Sequence, residues 1–512
     1  MKSNIKTLLF AALLAAATPV VGQAQSFQSL TRRAVQGAVN QGVVNAKKSK
    51  ADAEHEKWES KSRGNSSSSS SSSSSTTSSG HKIAQGKTYY VNCLTGSGRA
   101  PGTKESPYKD IQKAINNAVD GDIILVAEGN YLGSMDQGYL EIKKYITLQG
   151  GYSSDFSQWD PVRYKTYIQP NAECAGTNGN FGLMDLDVTG NDQGAVIIDG
   201  IGFDKGEENL YCAYNPKDAK SASPEGCLTG RMLKVGESPS SAKVGGADIN
   251  KALMFGKVEG VFVVRNCTFV NGNNFALQVS CAGGRFEIYN NVFCANVMAA
   301  FESRGMKNDQ NLCSVDFHHN TVLFTWTRDK EMGDMGQGFR FLPGYGKASV
   351  HDNIFGCNIL GAVERTHYDS DKTKEANRFT SLKNNAYFMN HADLILPSGG
   401  GKWLYVKAKN MEDVDEKFLT EVEGNRELND EKAFIDAIDP SYLKGYASLQ
   451  VISSQSYDAN SAANQVNRAF GLNQQGTETI RVSMCANKYP FLKAFDLYGA
   501  VSGRGAQTPR RE

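Results

Sequence analysis

A repeat of about thirty residues in the middle of the chain limits its fold more than any other feature. Each unit combines a short apolar strand, a polar pair and a hydrophobic step, and the five units are residues 264–269, 288–293, 317–322, 350–355 and 382–387. Aligned on the second polar residue, they follow one another at intervals of 24, 29, 33 and 32 residues. Periods of this size are typical of solenoids, and strands rich in Val, Ile and Phe predict β coils instead of helical repeats.

Asn recurs in the polar pairs of these units, and it has two uses at a bend between strands. It tolerates left-handed backbone angles better than most residues. Its side-chain amide can also hydrogen-bond to the same residue type on the next layer of a strand stack. The repeat therefore predicts a ladder of Asn side chains along the solenoid.

The first 24 residues predict export from the cytoplasm. Lys2 and Lys6 precede an apolar run over 8–17, and residues 22–24 form a small-x-small cleavage site before Gln25. A retained anchor is the alternative, but the run is about half the length that a membrane span needs. We expect an extracellular, cell-surface or periplasmic location and no transmembrane segment, and the ten cysteines allow up to five disulfides.

The nearly equal numbers of basic and acidic residues exclude a strong overall electrostatic field that would attract a highly charged partner. The chain has 55 basic and 54 acidic residues, and losing the first 24 residues removes two lysines and no acid. The formal charge then changes from +1 to −1. A nucleic-acid partner, which needs clustered positive charge, is therefore not expected.

The composition divides the chain into five segments. Residues 66–79 are all Ser or Thr and cannot bury enough apolar surface to fold, so they should act as a flexible tether. The predicted segments are a signal peptide (1–24), an N-terminal arm that is helical or unstructured (25–65), a Ser/Thr-rich linker (66–86), a β-helix (87–396), and a C-terminal region with a helical insertion and a closing segment (397–512).

A cap is predicted where the folded body begins. A strand over 88–93 and a Gly-rich stretch precede an amphipathic helix that starts at Ser106-Pro107 and runs to 119. The helix should cover the open end of the strand stack with an apolar face of Tyr108, Ile111, Ala114, Ile115, Ala118 and Val119. A fully buried strand over 123–126 and a turn over 128–131 are predicted next.

Several of these motifs resemble those of secreted right-handed parallel β-helix proteins of Gram-negative bacteria, the pectin-lyase-like superfamily. The resemblance rests on the Asn-bearing coils and on SPY at 106–108, IQKAI at 111–115, GDIILVAEGNY at 121–131 and ITLQGGY at 146–152. It covers roughly residues 87–396 and implies an all-β solenoid with an N-terminal capping helix. Because one scaffold carries many activities, it does not fix the function.

In this fold the strand before each Asn-bearing strand contributes to one long sheet, which often forms the floor of a groove. With Leu277, Phe301, Phe341 and Val363 inward, alternation places a polar strip outward, consisting of Gln278, Glu302, Arg304, Arg340 and Glu364. Glu302 and Glu364 would be two coils, roughly 10 Å, apart at the backbone. Their carboxyl groups could then approach the ~6.5–9.5 Å separation of inverting glycosidases.

The chain around this strip offers groups suited to an acidic polysaccharide. Trp326 could stack on sugar rings, and Arg328 and Lys307 could pair with their carboxylates. A lyase would need a base and a cation, so Glu302, Arg304, Arg340 and Glu364 are the candidate catalytic residues. The competing interpretation is a ladder of solvated side chains with ordinary cross-strand Glu/Arg pairing.

Other motifs point away from particular chemistries. Asp199 and Asp204 stand alone instead of forming a Ca²⁺-binding cluster, and the polygalacturonase motifs are absent. His318, His319 and His351 are interpreted as turn and ladder residues, so no metal site is predicted and no cofactor is identified. Cys212 and Cys227 are a candidate disulfide, whereas Cys267, Cys294 and Cys357 are expected to be stacked, buried free thiols.

Two functions fit these observations. The first is an exported β-helix protein that interacts with glycans without catalysis, as a binding or structural rod. The second is a polysaccharide lyase or glycoside hydrolase with its site on the polar strip. The absence of known β-helix catalytic motifs slightly favours the first.

Overall fold

The computed structural model describes residues 86–132, 139–169, 182–204, 243–244, 247–248, 254–272, 275–281, 283–296, 298–305, 313–325, 336–341, 346–365, 378–399, 402–414, 421–428 and 491–511. Of the described residues, all except Lys402 belong to one compact unit. The predicted signal peptide, arm and nearly all of the linker thus lie outside the described residues.

Three long sheets, here called A, B and C, form the body. Sheet A contains Thr88–Val91, Ile123–Ala127, Thr147–Tyr152, Ala195–Asp199, Val261–Arg265, Arg285–Tyr289, Cys313–His318, Gly346–His351, Arg378–Lys383 and Val422–Glu423. Sheet B contains Gly129–Leu132, Thr166–Gln169, Gly202–Asp204, Thr268–Val270, Val292–Cys294, Thr321–Leu323, Ile354–Gly356, Ala386–Phe388 and Arg426–Glu427. Sheet C contains Leu140–Ile142, Met184–Val188, Met254–Val258, Phe275–Cys281, Ala299–Gly305, Gln337–Phe341, Gly361–Arg365, Leu394–Gly399 and Lys402–Val406.

The strands follow one another in sequence order within each sheet and pair in parallel, so the chain visits the sheets in turn as a right-handed parallel β-helix. Phe269 pairs with Phe293, which pairs with Val322, so the repeat intervals of the sequence are the coil lengths. The inward side chains of the three sheets form one continuous apolar core along the axis. The predicted fold class is confirmed.

The Asn ladder forms at the bend between sheets A and B. The side-chain Nδ2 atoms of Asn291, Asn320, Asn353 and Asn385 each donate to the Asn Oδ1 of the next coil, at 2.9–3.2 Å, ending at Asn425. The left-handed backbone angles belong to the residue before each ladder residue, namely Asn266, Asn290, His319, Asp352 and Asn384. In each polar pair, the first residue therefore adopts the left-handed backbone angles and the second forms the ladder, whereas the sequence pattern predicted both properties for one Asn.

The capping helix spans Ile111–Asn117, four residues later than predicted. Asp110 caps it by accepting a hydrogen bond from the backbone N–H of Lys113 at 3.1 Å, whereas Tyr108 bridges to Val91 in an extended conformation. The helix contacts the first strands of sheets A and C, so it covers the end of the stack as expected. Val119, which was assigned to its apolar face, is 64% exposed because the helix has already ended.

Two further local predictions were wrong. The segment after Ile123–Ala127 is a strand of sheet B, Gly129–Leu132, and not a turn, because it pairs with Thr166–Gln169 on the next coil. Ile123–Ala127 itself is buried on alternate residues and not throughout. Beyond residue 396, pairing continues through Arg426–Glu427, and a 3-10 helix spans Ala408–Asn410.

Near the C-terminus, residues 495–507 form what we call the C-terminal strap. It begins with the 3-10 helix Phe495–Leu497, preceded by the helix Phe491–Ala494. The strap packs on the outer side chains of sheet B in a second apolar cluster that includes Val292, Leu323, Ile354, Phe495 and Leu497. The predicted closing segment at the C-terminus is described from residue 491 onward, and this part covers the outer face of sheet B.

The cysteines agree in part with expectation. Cys267, Cys294 and Cys357 are free and buried, as predicted. They do not form one stack, because Cys267 lies in the Asn column, whereas Cys294 ends a strand of sheet B and Cys357 directly follows another. Cys313 is disulfide-bonded. The predicted Cys212–Cys227 pair lies outside the described residues. None of the described helices is long and apolar enough to cross a membrane.

Candidate functional site

The polar strip lies on the outer face of sheet C. Gln278, Glu302, Arg340 and Glu364 share one register position on four successive strands. The residues that precede them are Leu277, Phe301, Phe339 and Val363, and all are fully buried in the core. Alternation along each strand therefore sends the four polar side chains outward.

Hydrogen bonds and ion pairs join these side chains from coil to coil. Gln278 Nε2 donates to Glu302 Oε1 at 2.6 Å, and Arg340 Nη1 donates to Glu302 Oε2 at 3.0 Å. Arg340 Nε lies 3.6 Å from Glu364 Oε1. Gln337 Nε2 donates to the other oxygen of Glu364. Each carboxylate is thus held by one amide and by the same guanidinium.

The network is almost entirely buried. Glu302 is 0% exposed and Glu364 1%, and the Arg340 side chain retains 12% of its surface. Charged groups are stable at such depth only when they are paired and hydrogen-bonded, as these are. The strip is therefore a closed charge network and not a row of solvated side chains.

This arrangement limits the chemistry that the two glutamates can perform. An inverting hydrolase needs room for a water between its carboxyl groups. In this strip the coil between Glu302 and Glu364 carries Arg340, whose guanidinium hydrogen-bonds to Glu302 and forms a longer ion pair with Glu364. A cation thus lies between the two carboxylates. Of the competing interpretation, the cross-strand Glu/Arg pairing forms, whereas the expected exposure to solvent does not.

Gln337 is the member of the network that sequence reasoning missed. Strict alternation from Arg340 would point residue 338 outward and residue 337 inward. Gly338 instead faces the core, where an added Cβ would meet Phe355 and Val322 side chains, and Phe339 also faces inward. Two consecutive inward residues shift the alternation, and Ala276, Ala300 and Ala362 occupy the same inward position on the neighbouring strands, so a small residue at this position is the sequence signal for the irregularity.

The remaining predicted site residues are not brought to the strip by the described structure. Arg304 pairs through its backbone with Ser280, and its side chain lies outside what is described. Lys307, Trp326 and Arg328 also lie outside the described residues. An aromatic and basic wall beside the strip therefore stays a prediction.

The two buried aspartates Asp199 and Asp204 have structural roles. Asp199 accepts hydrogen bonds from Gln149, Arg265 and Asn266, and burial raises the pKa of its carboxyl. Asp204 accepts from Gln169 and from Asn271. Among the described residues, no group of three or more His, Cys, Asp or Glu side chains is arranged to hold a metal ion.

Comparison with known proteins gives few likenesses. A family model described as a protein of unknown function, DUF1565, matches residues 94–158, which include the capping helix and the first coils. No curated protein matches the sequence significantly.

Three solved structures illustrate the structural likenesses, each at 11% identity. A complex of XylC with xylose has a TM-score of 0.29, and the match covers 60% of this chain and 66% of that one, just under two thirds. The major allergen from cedar pollen has a TM-score of 0.29, with 77% and 90% covered. A pectin methylesterase variant in complex with a hexasaccharide has a TM-score of 0.30, with 69% and 96% covered. At these values the likenesses carry no argument about function, and the fold assignment rests on the sheet topology.

Proposed function

We propose that this protein is an exported, glycan-interacting β-helix protein whose outer strip on sheet C is a structural brace and not a catalytic pair. The observation that carries the non-catalytic part is the state of Glu302. Its side chain is fully buried, and both oxygens accept hydrogen bonds, from Gln278 and from Arg340. A general acid or base must reach a substrate proton, and Glu302 has no such access.

The glycan partner is inferred from the resemblance of the coil motifs to the pectin-lyase-like superfamily, which includes polysaccharide lyases. Export is inferred from the first 24 residues, and the disulfide at Cys313 is consistent with an oxidising compartment. The long stack of parallel coils gives a stiff body suited to presenting binding loops along its length.

A second candidate, a polysaccharide lyase or hydrolase, is favoured by one observation. Arg340 keeps part of its surface while joining two carboxylates, so among the described side chains of the strip its guanidinium is placed to neutralise a uronate carboxylate. In that case an incoming carboxylate would have to replace Glu302 or Glu364 as the partner of Arg340.

The test is to incubate the purified full-length mature protein with a panel of acidic and neutral polysaccharides. Binding is followed by affinity electrophoresis, unsaturated lyase products by ultraviolet absorbance, and hydrolysis by reducing ends. We expect retention by at least one polymer without product formation. Glu302→Gln, which keeps the shape and the hydrogen bond from Gln278, serves as the matched variant. Product formation that is lost in folded Glu302→Gln would establish the enzyme, and no retention by any polymer would overturn the glycan interaction.

A further inference from the structure

A column of three aromatic rings lies on the outer face of sheet A. Tyr289, His318 and His351 share one register position on successive coils. The ring centroids of Tyr289 and His318 are 4.9 Å apart with planes 4° from parallel, and those of His318 and His351 are 4.9 Å apart at 7°. Charging either imidazole therefore places a cation directly against the next ring.

His351 lies between two carboxylates. Its Nε2 is 3.1 Å from Asp316 Oδ1 on the preceding coil, and its Nδ1 is 2.8 Å from Asp352 Oδ2. Both hydrogen bonds form only when both ring nitrogens carry hydrogen, so the geometry suits the charged imidazolium. Burial opposes this charge, but the hydrogen bonds to Asp316 and Asp352 outweigh burial and raise the pKa of His351.

His318 and His319 have the opposite requirement. Their Nδ1 atoms are 2.9 Å apart, a distance that one shared hydrogen satisfies. Because a charged imidazole carries hydrogen on both nitrogens, the contact tolerates one proton between the two Nδ1 atoms and not two. Burial lowers the pKa of His318 to about 4 and also lowers the pKa of His319.

These residues form the turns on which the C-terminal strap docks. His319 and Asp352 both have left-handed backbone angles at the bend between sheets A and B. The Asp352 carbonyl accepts from the backbone N–H of Gly505 at 2.8 Å. Two residues after His319, Thr321 Oγ1 accepts from the backbone N–H of Ala506 at 2.9 Å. The hydrogen bonds of the strap therefore depend on the positions of the turns that carry His319 and Asp352, next to the imidazole contacts.

Four other charged side chains lie around the column. Arg265 bonds to the Tyr289 hydroxyl and to Asp199, and Lys383, the register partner of His351, pairs with Glu421 and Glu423. Arg504 donates to the Asn384 carbonyl, and Glu287 is the register partner of Asp316. Among the basic side chains of the column and its surroundings, the histidines are the ones whose charge changes between neutral and mildly acidic pH.

We propose that this cluster is an acid-sensitive latch, in which uptake of a second proton by the His318–His319 pair breaks their contact and releases the C-terminal strap from sheet B. In acid, His318 would also carry charge against the imidazolium of His351, which adds repulsion along the stack. Release is local, because the inner core of the coils does not include the strap.

Two buried thiols report on the strap. Cys294 and Cys357 belong to the apolar cluster that contains Phe495, Leu497 and Tyr498, so release exposes them. Cys267 lies in the inner core and should react only on global unfolding, whereas half-buried Cys93 gives a reference rate. The full mature protein is treated with dithiodipyridine, a disulfide that reacts with thiols even in acid, and peptide mass spectrometry identifies the modified cysteines.

We expect the labelling of Cys294 and Cys357, relative to Cys93, to rise about tenfold or more from about pH 7 to about pH 4, because each pH unit below an unperturbed pKa contributes a factor of up to ten. The matched variant is His319→Asn, since Asn occupies the same left-handed position at 266, 290 and 384. In this variant the rise should disappear. An unchanged labelling ratio in the wild type, a full rise in His319→Asn, or equally fast labelling of Cys267 would each overturn the latch.

Discussion

Arg340 donates from Nη1 to Oε2 of Glu302 at 3.0 Å across two adjacent coils, and the carboxylate that accepts this bond is fully buried. The same guanidinium lies 3.6 Å from Glu364 on the next coil. A single guanidinium thus pairs with two buried carboxylates, which makes Arg340 the central element of the strip.

Replacing Arg340 with Met should lower the free energy of unfolding by about 3–5 kcal/mol, because it leaves buried carboxylates without their counter-charge. Urea-induced unfolding followed by circular dichroism measures the effect. The double variant Glu302→Gln/Arg340→Met should lose less than the sum of the single variants, since the neutral amide no longer needs the cation. A loss below about 1 kcal/mol in Arg340→Met would show that the network does not brace the coils.

The Asn ladder gives a second prediction. Asn353 donates to Asn385 Oδ1 and to the Phe317 carbonyl, both at 2.9 Å, and accepts from the backbone N–H of Asn320 at 2.8 Å. Asn353→Ala leaves these buried groups without partners, each worth about 1–3 kcal/mol, so we expect a fall of at least about 3 kcal/mol in unfolding free energy. The control is Asn384→Gly, an exposed left-handed position where Gly is well tolerated. Equal losses in the two variants would contradict the ladder.

The capping helix offers a matched pair of substitutions. Ile115 is 2% exposed and belongs to the core, whereas Val119 is 64% exposed just beyond the helix. Ile115→Ala should destabilise the protein by about 2–5 kcal/mol through lost burial and a cavity at the end of the stack. Val119→Ala should change stability by no more than about 0.5 kcal/mol. Thermal and chemical unfolding of both variants test this difference, and a similar effect of the two would mean that the helix does not seal the core.

Acid stability should depend on His318. Burial lowers its pKa to about 4 in the folded state, below the value of 6.5 for an unperturbed imidazole. The unfolded chain therefore takes up this proton first, and stability that is fully present above about pH 6.5 is lost as the pH falls toward about 4. His318→Tyr keeps a ring in the stack without this titration and should flatten the dependence. NMR titration of the His318 ring checks the pKa directly, and a midpoint near 6.5 would contradict the prediction.

The raised pKa of His351 has the opposite sign, and this separates the two histidines experimentally. Its stabilising contribution is present below about pH 6.5 and is lost as the pH rises through the folded pKa. Replacing His351 should therefore reduce stability most in mild acid, where the imidazolium pairs with Asp316 and Asp352.

The sequence by itself determined the coil repeat and with it the fold. The spacing of the polar pairs marks where each coil bends, and the apolar strands between them must face one shared core, so the parallel stack follows from local pattern. The outward direction of Gln278, Glu302, Arg340 and Glu364 follows from the same alternation. The sequence also predicted that the first helix covers the end of the stack. It did not predict that the helix begins at Ile111, because Pro107 precedes an extended bridge at Tyr108 instead of starting the helix.

Only the tertiary structure decided what the outward groups do. Whether Glu302 contacts solvent or a guanidinium depends on the register between coils and on how deeply its side chain is buried. The sequence pattern of one strand contains neither. Three further features depend on the stacking of coils. They are the shift in alternation at Gly338 that brings Gln337 to Glu364, the packing of the C-terminal strap on sheet B, and the contact between His318 and His319. Such contacts arise when coils pack on one another or on the strap, whereas the sequence repeat specifies only the individual coils.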